Sequence, residues 1–340
     1  MPSAGAPAVF RALGSLLTVI ASGAVVVIAS ARQPPSADGA PAATTPAPTA
    51  TTAVAAATST PAPPPPASDV GTDAASAKAS CTIPDRGAGP YDKWQSLSIG
   101  KVLRPSQPPR DTYDVLLHFH GAEAIRKVVA PMGFDNLVII ALDAGEGSSQ
   151  YSKAFYAGAP LEGLLEEAGQ PLRPAHLRHL IVSSWSAGYG AVRQLLQFDP
   201  RAPDAVILLD SAHASYADDG ITVAAEGYAP FLAYARRAQA GEVSMVMTHS
   251  DIRPPGYAST TEVATALLAE VGGQRSFAGM ARHYGVEAKS HYHQGRLIVR
   301  GYSGTGKPAH CAHLRMLADI LRDDVLPILS QTDAPSTTAP

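Results

Sequence analysis

The stretch LIVSSWSAGYGAVRQLL, residues 180–196, joins a run of leucine and β-branched residues to a segment with helical apolar spacing. Small residues and two glycines lie between the two halves. The first half predicts a buried strand, and the second predicts a helix over 187–197. Ser186 therefore falls at the apex of a sharp turn between a strand and a helix.

Outward from this stretch, short apolar runs alternate with segments of helical period over residues 81–330. This alternation is typical of a parallel sheet wrapped by helices. We expect an α/β fold with a mostly parallel central sheet and helices on both faces. The strands are predicted at 114–119, 137–142, 179–183, 205–209, 243–247 and 296–299. The helices are predicted at 187–197, 230–240, 260–271 and 313–321.

Reactive side chains of parallel sheets gather where loops leave the carboxyl ends of the strands. A serine nucleophile needs a histidine to take its proton, a carboxylate to orient that histidine, and donors for the oxyanion. The predicted strand ends supply these residue types, so they favour nucleophilic catalysis by Ser186. The candidates are His118, His120, Ser186, Asp210, Asp251, His310 and His313.

The segment SWSAGYG, residues 184–190, resembles the G-x-S-x-G nucleophile elbow of the α/β-hydrolase family, with Ser184 in place of the first glycine. That position must be small because the helix passes close to the strand there. The chain order serine, acid, histidine also matches the family, over about residues 112–325. The resemblance implies a serine hydrolase, most like a carboxylesterase, with Ser186 as its nucleophile.

The resemblance also implies where the acid and the base stand. The family's acid follows the second strand after the nucleophile, which selects Asp251 in the sequence SDIRPP. Asp210 is the alternative, because some family members carry the acid one strand earlier. The base should follow the last strand. His310 is preferred because it lies in a loop rich in glycine and proline, and His313, at the start of the last predicted helix, is the alternative.

The sequence LLHFHGAEA follows the first strand and resembles the family's oxyanion loop, in which backbone N–H groups point at the site. The oxyanion donors it implies are Gly121, Ala122 and Ala187. The residues expected to contact the substrate are His118, His120, Trp185 and Tyr189. For His118 and His120, an inward-facing pair satisfied by hydrogen bonds stays open as an alternative.

Tyrosines mixed with small residues follow two of the predicted strands and suit a short, aromatic or sugar ester. The chain shows no long apolar lid, so we expect an esterase acting on a small-molecule or cell-wall ester without a cofactor or a metal. Thioester and amide bonds stay open, because the same groups serve all acyl transfers.

Two other classes of function remain. Histidine pairs at 118/120, 291/293 and 310/313 have a spacing that zinc ligands use, which allows a metallohydrolase. A hydrolase fold that serves as an exported, non-catalytic binding module is the second alternative, because a fold does not fix its function.

The N-terminus carries an apolar run that ends in Ala29-Ser30-Ala31, a pattern of signal-peptidase sites. We expect residues 1–31 to be a signal peptide or, given the length of the run, a membrane anchor. Residues 32–80 are rich in alanine, proline and threonine and predict a disordered linker, as does the short tail 331–340. The domain 81–330 is thus expected to be secreted, periplasmic or anchored at the cell surface.

The two cysteines, Cys81 and Cys311, stand near the two ends of the predicted domain. An even count in an exported chain favours a disulfide between them. The net charge is −3 with no block of lysine or arginine, which removes the electrostatic basis for binding nucleic acid. A membrane partner is expected only through the N-terminal anchor.

Overall fold

The computed structural model describes residues 81–199, 201, 203–277 and 281–332. Its strands are β1 Gln95–Ser96, β2 Lys101–Leu103, β3 Thr112–Phe119, β4 Leu137–Leu142, β5 His176–Trp185, β6 Ala205–Leu209, β7 Ser244–His249, β8 Arg282–His283, β9 Val286–Gln294 and β10 Leu297–Tyr302. Its helices are α1 Ala122–Val129, α2 Ser148–Ala154, α3 Leu161–Gly169, α4 Tyr189–Phe198, α5 Ala225–Gln239, α6 Thr260–Glu270, α7 Lys307–Arg315, α8 Leu317–Ile320 and α9 Leu326–Thr332.

The strands form one sheet in the order β1-β2-β4-β3-β5-β6-β7-β10-β9-β8. The six strands from β4 to β10 in this order pair in parallel. Antiparallel strands flank them on both sides, β2 beside β4 and β9 beside β10. Every residue of β4 and β6 is buried, as expected for strands of a parallel sheet with helices on both faces.

Two apolar layers cover the sheet. Successive residues of a strand point to opposite faces, so Leu117 of β3 packs in one layer and Leu116 in the other. Helices α2 to α6 contribute to the layer that contains Leu117, through side chains such as Val192 and Phe231. Helices α1, α7, α8 and α9 contribute to the other, through Leu314 among others. The expected mostly parallel α/β fold is therefore confirmed.

The sequence-based elements differ from the structure at two places that bear on function. The last helix of the prediction starts at residue 313, but α7 starts at Lys307, with Pro308 in its first turn, where proline is tolerated because that turn's N–H groups have no intrahelical partner. His310 therefore lies on a helix and not in a loop. Strand β9, which the sequence did not predict, lies beside the two-residue edge strand β8 and is largely polar, so it lacks the apolar run of a buried strand.

The predicted disulfide is present. Cys81 and Cys311 are bonded, with Cα atoms 5.4 Å apart and a sequence separation of 230. Closing a loop of that length stabilises the fold by about 5 kcal/mol in the chain-entropy account. Because Cys311 follows His310 directly, the bridge also fixes the start of the domain to α7.

The predicted signal or anchor 1–31, the linker 32–80 and nearly all of the tail 331–340 lie outside the described residues. The domain boundaries accordingly stay predictions. Among the residues that are described, no helix is both long enough and apolar enough to cross a bilayer.

Candidate active site

Ser186 follows the last residue of β5 and has a φ of 49°, in the left-handed region that non-glycine residues rarely adopt. A 3₁₀ turn, Ser186–Gly188, leads directly into α4. Gly188 allows the close approach of this turn to β3, because a Cβ at Gly188 would lie 2.3 Å from the carbonyl oxygen of Phe119. The strand, strained apex and helix have the geometry of a nucleophile elbow.

Ser184, which stands where the elbow motif has its first glycine, is fully buried beneath the turn. The hydroxyl of Ser211 donates to the carbonyl of Ser186 at 2.8 Å, and Ser184 Oγ lies 2.8 Å from Ser211 Oγ. The single hydroxyl proton of Ser211 is donated to the carbonyl, so Ser184 must be the donor in the hydrogen bond to Ser211. Ser184 thus ties the elbow to the loop that follows β6.

His310 and Asp210 form the pair that a serine nucleophile requires. His310 Nδ1 lies 2.7 Å from Asp210 Oδ2. An ionised carboxylate only accepts, so Nδ1 carries the proton and Nε2 is left with the lone pair that takes a proton from a hydroxyl. The Asp210 side chain is 3% exposed and that of His310 is 19% exposed, so the acid is buried behind a base that reaches the surface.

Asp210 is held as a carboxylate by several donors. Ser250 donates to it through its backbone N–H at 3.0 Å and its hydroxyl at 2.8 Å, and Thr260 donates its hydroxyl at 2.5 Å. Burial raises the pKa of Asp210, but the neighbouring His313 and the hydrogen bonds from His310 and Thr260 outweigh burial and hold the pKa well below its ordinary value. Asp210 therefore stays ionised when His310 takes up a proton.

Asp251, the preferred acid in the sequence analysis, has a different partner. Its carboxylate oxygens lie 2.9 and 3.0 Å from Lys289 Nζ on β9, and it also accepts from the N–H of Gly304 at 3.3 Å. The geometry replaces Asp251 with the alternative, Asp210, as the partner of His310. Strand β9, which supplies Lys289, is one of the elements that the sequence did not predict.

His313, the alternative base, is fully buried one turn beyond His310 on α7. Its Nδ1 lies 2.8 Å from Thr248 Oγ1, and the same oxygen accepts from the N–H of Asp210 at 3.3 Å. Burial lowers the pKa of His313 to about 4, which keeps it neutral. His313 therefore supports the backbone at Asp210 and has no access to a substrate.

The oxyanion donors expected from the sequence do not all face an open site. The N–H groups of Gly121, at 2.6 Å, and Ala122, at 3.2 Å, both donate to the carboxylate of Asp143. Ala187, the third expected donor, lies in the first turn of a helix, where N–H groups have no intrahelical partner. Asp143 follows β4 directly and was not among the candidates.

The two histidines of the loop after β3 have different environments. His118 is fully buried, with Nε2 2.8 Å from the carbonyl of His120 and Nδ1 2.7 Å from the hydroxyl of Ser183. Burial lowers its pKa to about 3, so His118 braces the loop as a neutral ring and is not among the residues that line the cleft described below. His120 lines the cleft described below, and its Nδ1 lies 2.7 Å from Tyr151 Oη.

Trp185, one of the expected substrate contacts, also holds the base. Its indole stacks on the imidazole of His310 with ring centroids 4.6 Å apart, and its Nε1 donates to the His310 carbonyl at 3.0 Å. The ring of His120 stacks on the same indole at 5.1 Å. Tyr189, another expected contact, packs edge-on against His213 at 5.5 Å.

A cleft of about 640 Å³ opens over these groups. Ser186, Asp210 and His310 line it, together with aromatic, apolar and charged side chains. These side chains include His213, Ile252, Pro254 and Tyr257. His213 was not among the residues predicted from the sequence, although it follows β6 by only a few residues and so lies at the carboxyl end of a strand.

The histidine pairs that suggested a metallohydrolase make other contacts. The side chains of His118, His120, His310 and His313 have the hydrogen-bond partners described above. His291 and His293 are on β9 with ring centroids 6.2 Å apart. In residues 81–199, 201, 203–277 and 281–332, no group of three or more His, Cys, Asp or Glu side chains is arranged to hold a metal ion. The described geometry thus supplies no donor set for that alternative.

No family model and no curated protein matches the chain. Among solved structures, it is similar to esterase B from Lactobacillus Rhamnosis (HN001), at 12% identity and a TM-score of 0.42, covering 74% of this chain and 90% of that one. It is also similar to the carboxylesterase CesB (YbfK) from Bacillus subtilis, at 8% identity and a TM-score of 0.38, covering 69% and 91%.

Ferric enterobactin esterase (fes) from Salmonella typhimurium is a further similar structure, at 12% identity and a TM-score of 0.41, covering 68% of this chain. The match spans 55% of the Salmonella protein, about half of its length. The topology of the chain itself carries the fold assignment. The described domain has a mostly parallel sheet with helices on both faces and a strained strand-to-helix turn at Ser186, which is the arrangement of the α/β-hydrolase fold.

Proposed function

We propose that this protein is a serine hydrolase that cleaves carboxylic esters, with Ser186 as nucleophile, His310 as base and Asp210 as the orienting acid. The 2.7 Å hydrogen bond between His310 and Asp210, in the cleft that Ser186 also lines, is the observation that carries the proposal. A buried carboxylate that fixes the histidine tautomer next to a strained serine is the arrangement that activates a hydroxyl.

The reaction proceeds by acyl transfer to the protein and then to water. Ser186 Oγ attacks the ester carbonyl carbon while its proton passes to His310 Nε2. The tetrahedral intermediate collapses when His310 returns that proton to the leaving alkoxide, and Ser186 remains acylated. His310 then takes a proton from water, which attacks the acyl carbon. The second tetrahedral intermediate collapses when His310 returns that proton to Ser186 Oγ, so the carboxylic acid leaves and both side chains are restored. Asp210 stabilises the imidazolium in both halves.

The oxyanion is bound by backbone donors. Ala187 supplies one N–H from the first turn after the nucleophile, as in the family that the elbow resembles. The second donor is the N–H of Ala122, which donates to the Asp143 carboxylate in the structure. A bound carbonyl oxygen would displace this carboxylate and accept the hydrogen bond instead. Such a donor contributes about 3 kcal/mol of transition-state stabilisation in comparable sites.

We further propose that the protein is exported, with its hydrolase domain secreted, periplasmic or held at the cell surface. The signal-like segment 1–31 supports export. The Cys81–Cys311 disulfide supports it independently, because disulfides persist in oxidising compartments.

Hydrolysis of p-nitrophenyl acetate and butyrate by the purified full chain tests the function. We expect turnover by the wild type, none above the spontaneous rate with Ser186→Ala, and unchanged turnover with Ser215→Ala, which alters an exposed serine elsewhere. EDTA is expected to have no effect. Absence of turnover in the folded wild type would favour the binding module, and loss of turnover with EDTA would favour the metallohydrolase.

A further inference from the structure

His213 is a cleft residue that the proposed reaction does not use. It stands three positions beyond Asp210 and lines the cleft together with Ser186 and His310. Its ring is fixed by two edge-on aromatic contacts, with Tyr189 at 5.5 Å and Tyr257 at 5.2 Å between centroids. A ring held in this way presents a defined edge to whatever occupies the cleft.

The hydrogen bonding of His213 fixes which of its nitrogens accepts. Nδ1 lies 3.1 Å from the carbonyl oxygen of Ala258. A carbonyl only accepts, so Nδ1 carries the proton. Burial lowers the pKa of His213, which keeps the ring neutral and leaves Nε2 with a lone pair. No described residue hydrogen bonds to Nε2, and Nε2 is not enclosed by the protein, so it is free to accept from a ligand.

Apolar side chains share the cleft with this acceptor. Tyr257 is 42% exposed although it contacts His213, and Ile252 and Pro254 line the same cleft. An exposed tyrosine ring beside aliphatic side chains favours an aromatic group by burial and by offset or edge-on ring contacts. The acceptor and the apolar wall together fit a ring that carries a hydrogen-bond donor.

We propose that His213 is a specificity-determining residue that accepts a hydrogen bond from a hydroxyaryl group of the substrate, so that esters of hydroxylated aromatic acids or alcohols are preferred. This inference rests on the proposed function. A phenolic hydroxyl keeps its proton at neutral pH and can donate it to Nε2. A methoxy group at the same position only accepts, and it would leave the Nε2 lone pair unpaired against another acceptor.

Pairs of esters that differ only in O-methylation test the proposal. The distance between the aromatic ring and the ester carbonyl is varied on the acyl side with methyl esters of 4-hydroxybenzoate, 4-hydroxyphenylacetate and 4-hydroxycinnamate. The alcohol side is tested with 4-hydroxyphenethyl acetate. Each is compared with its 4-methoxy analogue through kcat/KM. The full-length wild type is expected to prefer the hydroxyl member of at least one pair by about 10-fold or more, as sites built around a substrate hydroxyl do.

Variants assign the preference to His213. In His213→Phe the ratio within that pair is expected to fall below about 3, whereas His213→Gln, whose side-chain oxygen also accepts, retains part of it. His283→Phe changes an exposed histidine outside the cleft and should leave the ratio unchanged. Because each ratio compares two substrates of one variant, a lower overall activity of a variant does not alter the test.

Any of four results would overturn the inference. These are wild-type ratios near 1 in every pair, no turnover of any pair, an undiminished ratio in His213→Phe, and a preference for acetylated sugars over every hydroxyaryl ester. Labelling of Ser186 with a fluorophosphonate distinguishes failure of the His213 inference from failure of the proposed serine hydrolase function. A wild type that is labelled but shows no hydroxyl preference refutes only the role of His213. A folded wild type that is not labelled refutes the serine mechanism itself.

Discussion

The indole of Trp185 lies against the imidazole of His310, with ring centroids 4.6 Å apart, and also donates a hydrogen bond to the His310 backbone carbonyl. The residue immediately before Ser186, the proposed nucleophile, thus positions His310, the proposed base, through both its ring and its backbone. When His310 becomes an imidazolium, the indole face stabilises the positive charge. The elbow therefore positions two members of the proposed triad together.

Replacing Trp185 tests this coupling. Trp185→Phe keeps a ring but loses the N–H donor, and Trp185→Leu loses both contacts. We expect kcat to fall in the order wild type, Phe, Leu, by about 30-fold for Leu, with a smaller change in KM, because cation–π and hydrogen-bond contacts of this kind contribute about 1 kcal/mol each. Steady-state kinetics on one p-nitrophenyl ester measure both constants. A change confined to KM would show that Trp185 only contacts substrate.

Asp210 and Asp251 form a matched pair for identifying the acid. Asp210→Asn removes the charge that orients His310 and is expected to lower kcat by about 10²- to 10⁴-fold. Asp251→Asn removes only a partly exposed ion pair with Lys289, and should leave kcat within about 2-fold of the wild type. If the two variants behave in the reverse order, the assignment of Asp210 is wrong.

Gly188 tests the packing beneath the elbow. Its φ lies in the ordinary range, so the obstacle to a side chain is purely steric, with a Cβ 2.3 Å from the Phe119 carbonyl oxygen. We expect Gly188→Ala to lower the free energy of unfolding by about 1–3 kcal/mol. Gly163→Ala, in α3 with no atom within 4 Å of the new Cβ, should be neutral or stabilising. Urea unfolding of both variants provides the comparison.

Buried histidines make the stability depend on pH. Burial lowers the pKa of His313 to about 4 in the folded state, below the unfolded value near 6.5. The unfolded chain therefore binds more protons between these values, and stability falls as the pH drops from 6.5 towards 4. His313 alone should account for about 2 kcal/mol between pH 7 and pH 5.

Urea unfolding at pH 7 and pH 5 measures this dependence. His118 and His249, whose pKa values burial lowers to about 3, contribute in the same direction. His313→Asn keeps a donor for Thr248 but does not titrate. In this variant the decrease in the free energy of unfolding from pH 7 to pH 5 should be smaller by the amount that His313 contributes. An equal loss in wild type and variant would contradict the assignment of His313 as a neutral buried ring.

The sequence predicts the elements whose signal is local. The apolar runs of β4 and β6 give their boundaries without error, because strands buried on both faces read as continuous hydrophobic segments. Ser186 and Gly188 are recognisable because a strand-to-helix turn needs small residues in a fixed order. These features depend on a few neighbouring residues, and no tertiary information is required.

What the sequence could not determine depends on contacts between distant segments. Asp210 and Asp251 both follow strands, and only the placement of His310 on α7 and of Lys289 on β9 separates their partners. Asp143 lies 21 positions from Ala122, and its hydrogen bond to that N–H has no local signature. The acid and the oxyanion loop were therefore the two parts of the site that required the structure.

Fluorophosphonate labelling of the purified full chain, followed by peptide mapping, tests directly whether Ser186 is an activated nucleophile. The reagent modifies only serines that a neighbouring base activates. We expect one modified residue, Ser186, with labelling abolished in Ser186→Ala, strongly reduced in Asp210→Asn and retained in Asp251→Asn. A folded wild type that stays unlabelled, or a label on another serine, would contradict this expectation.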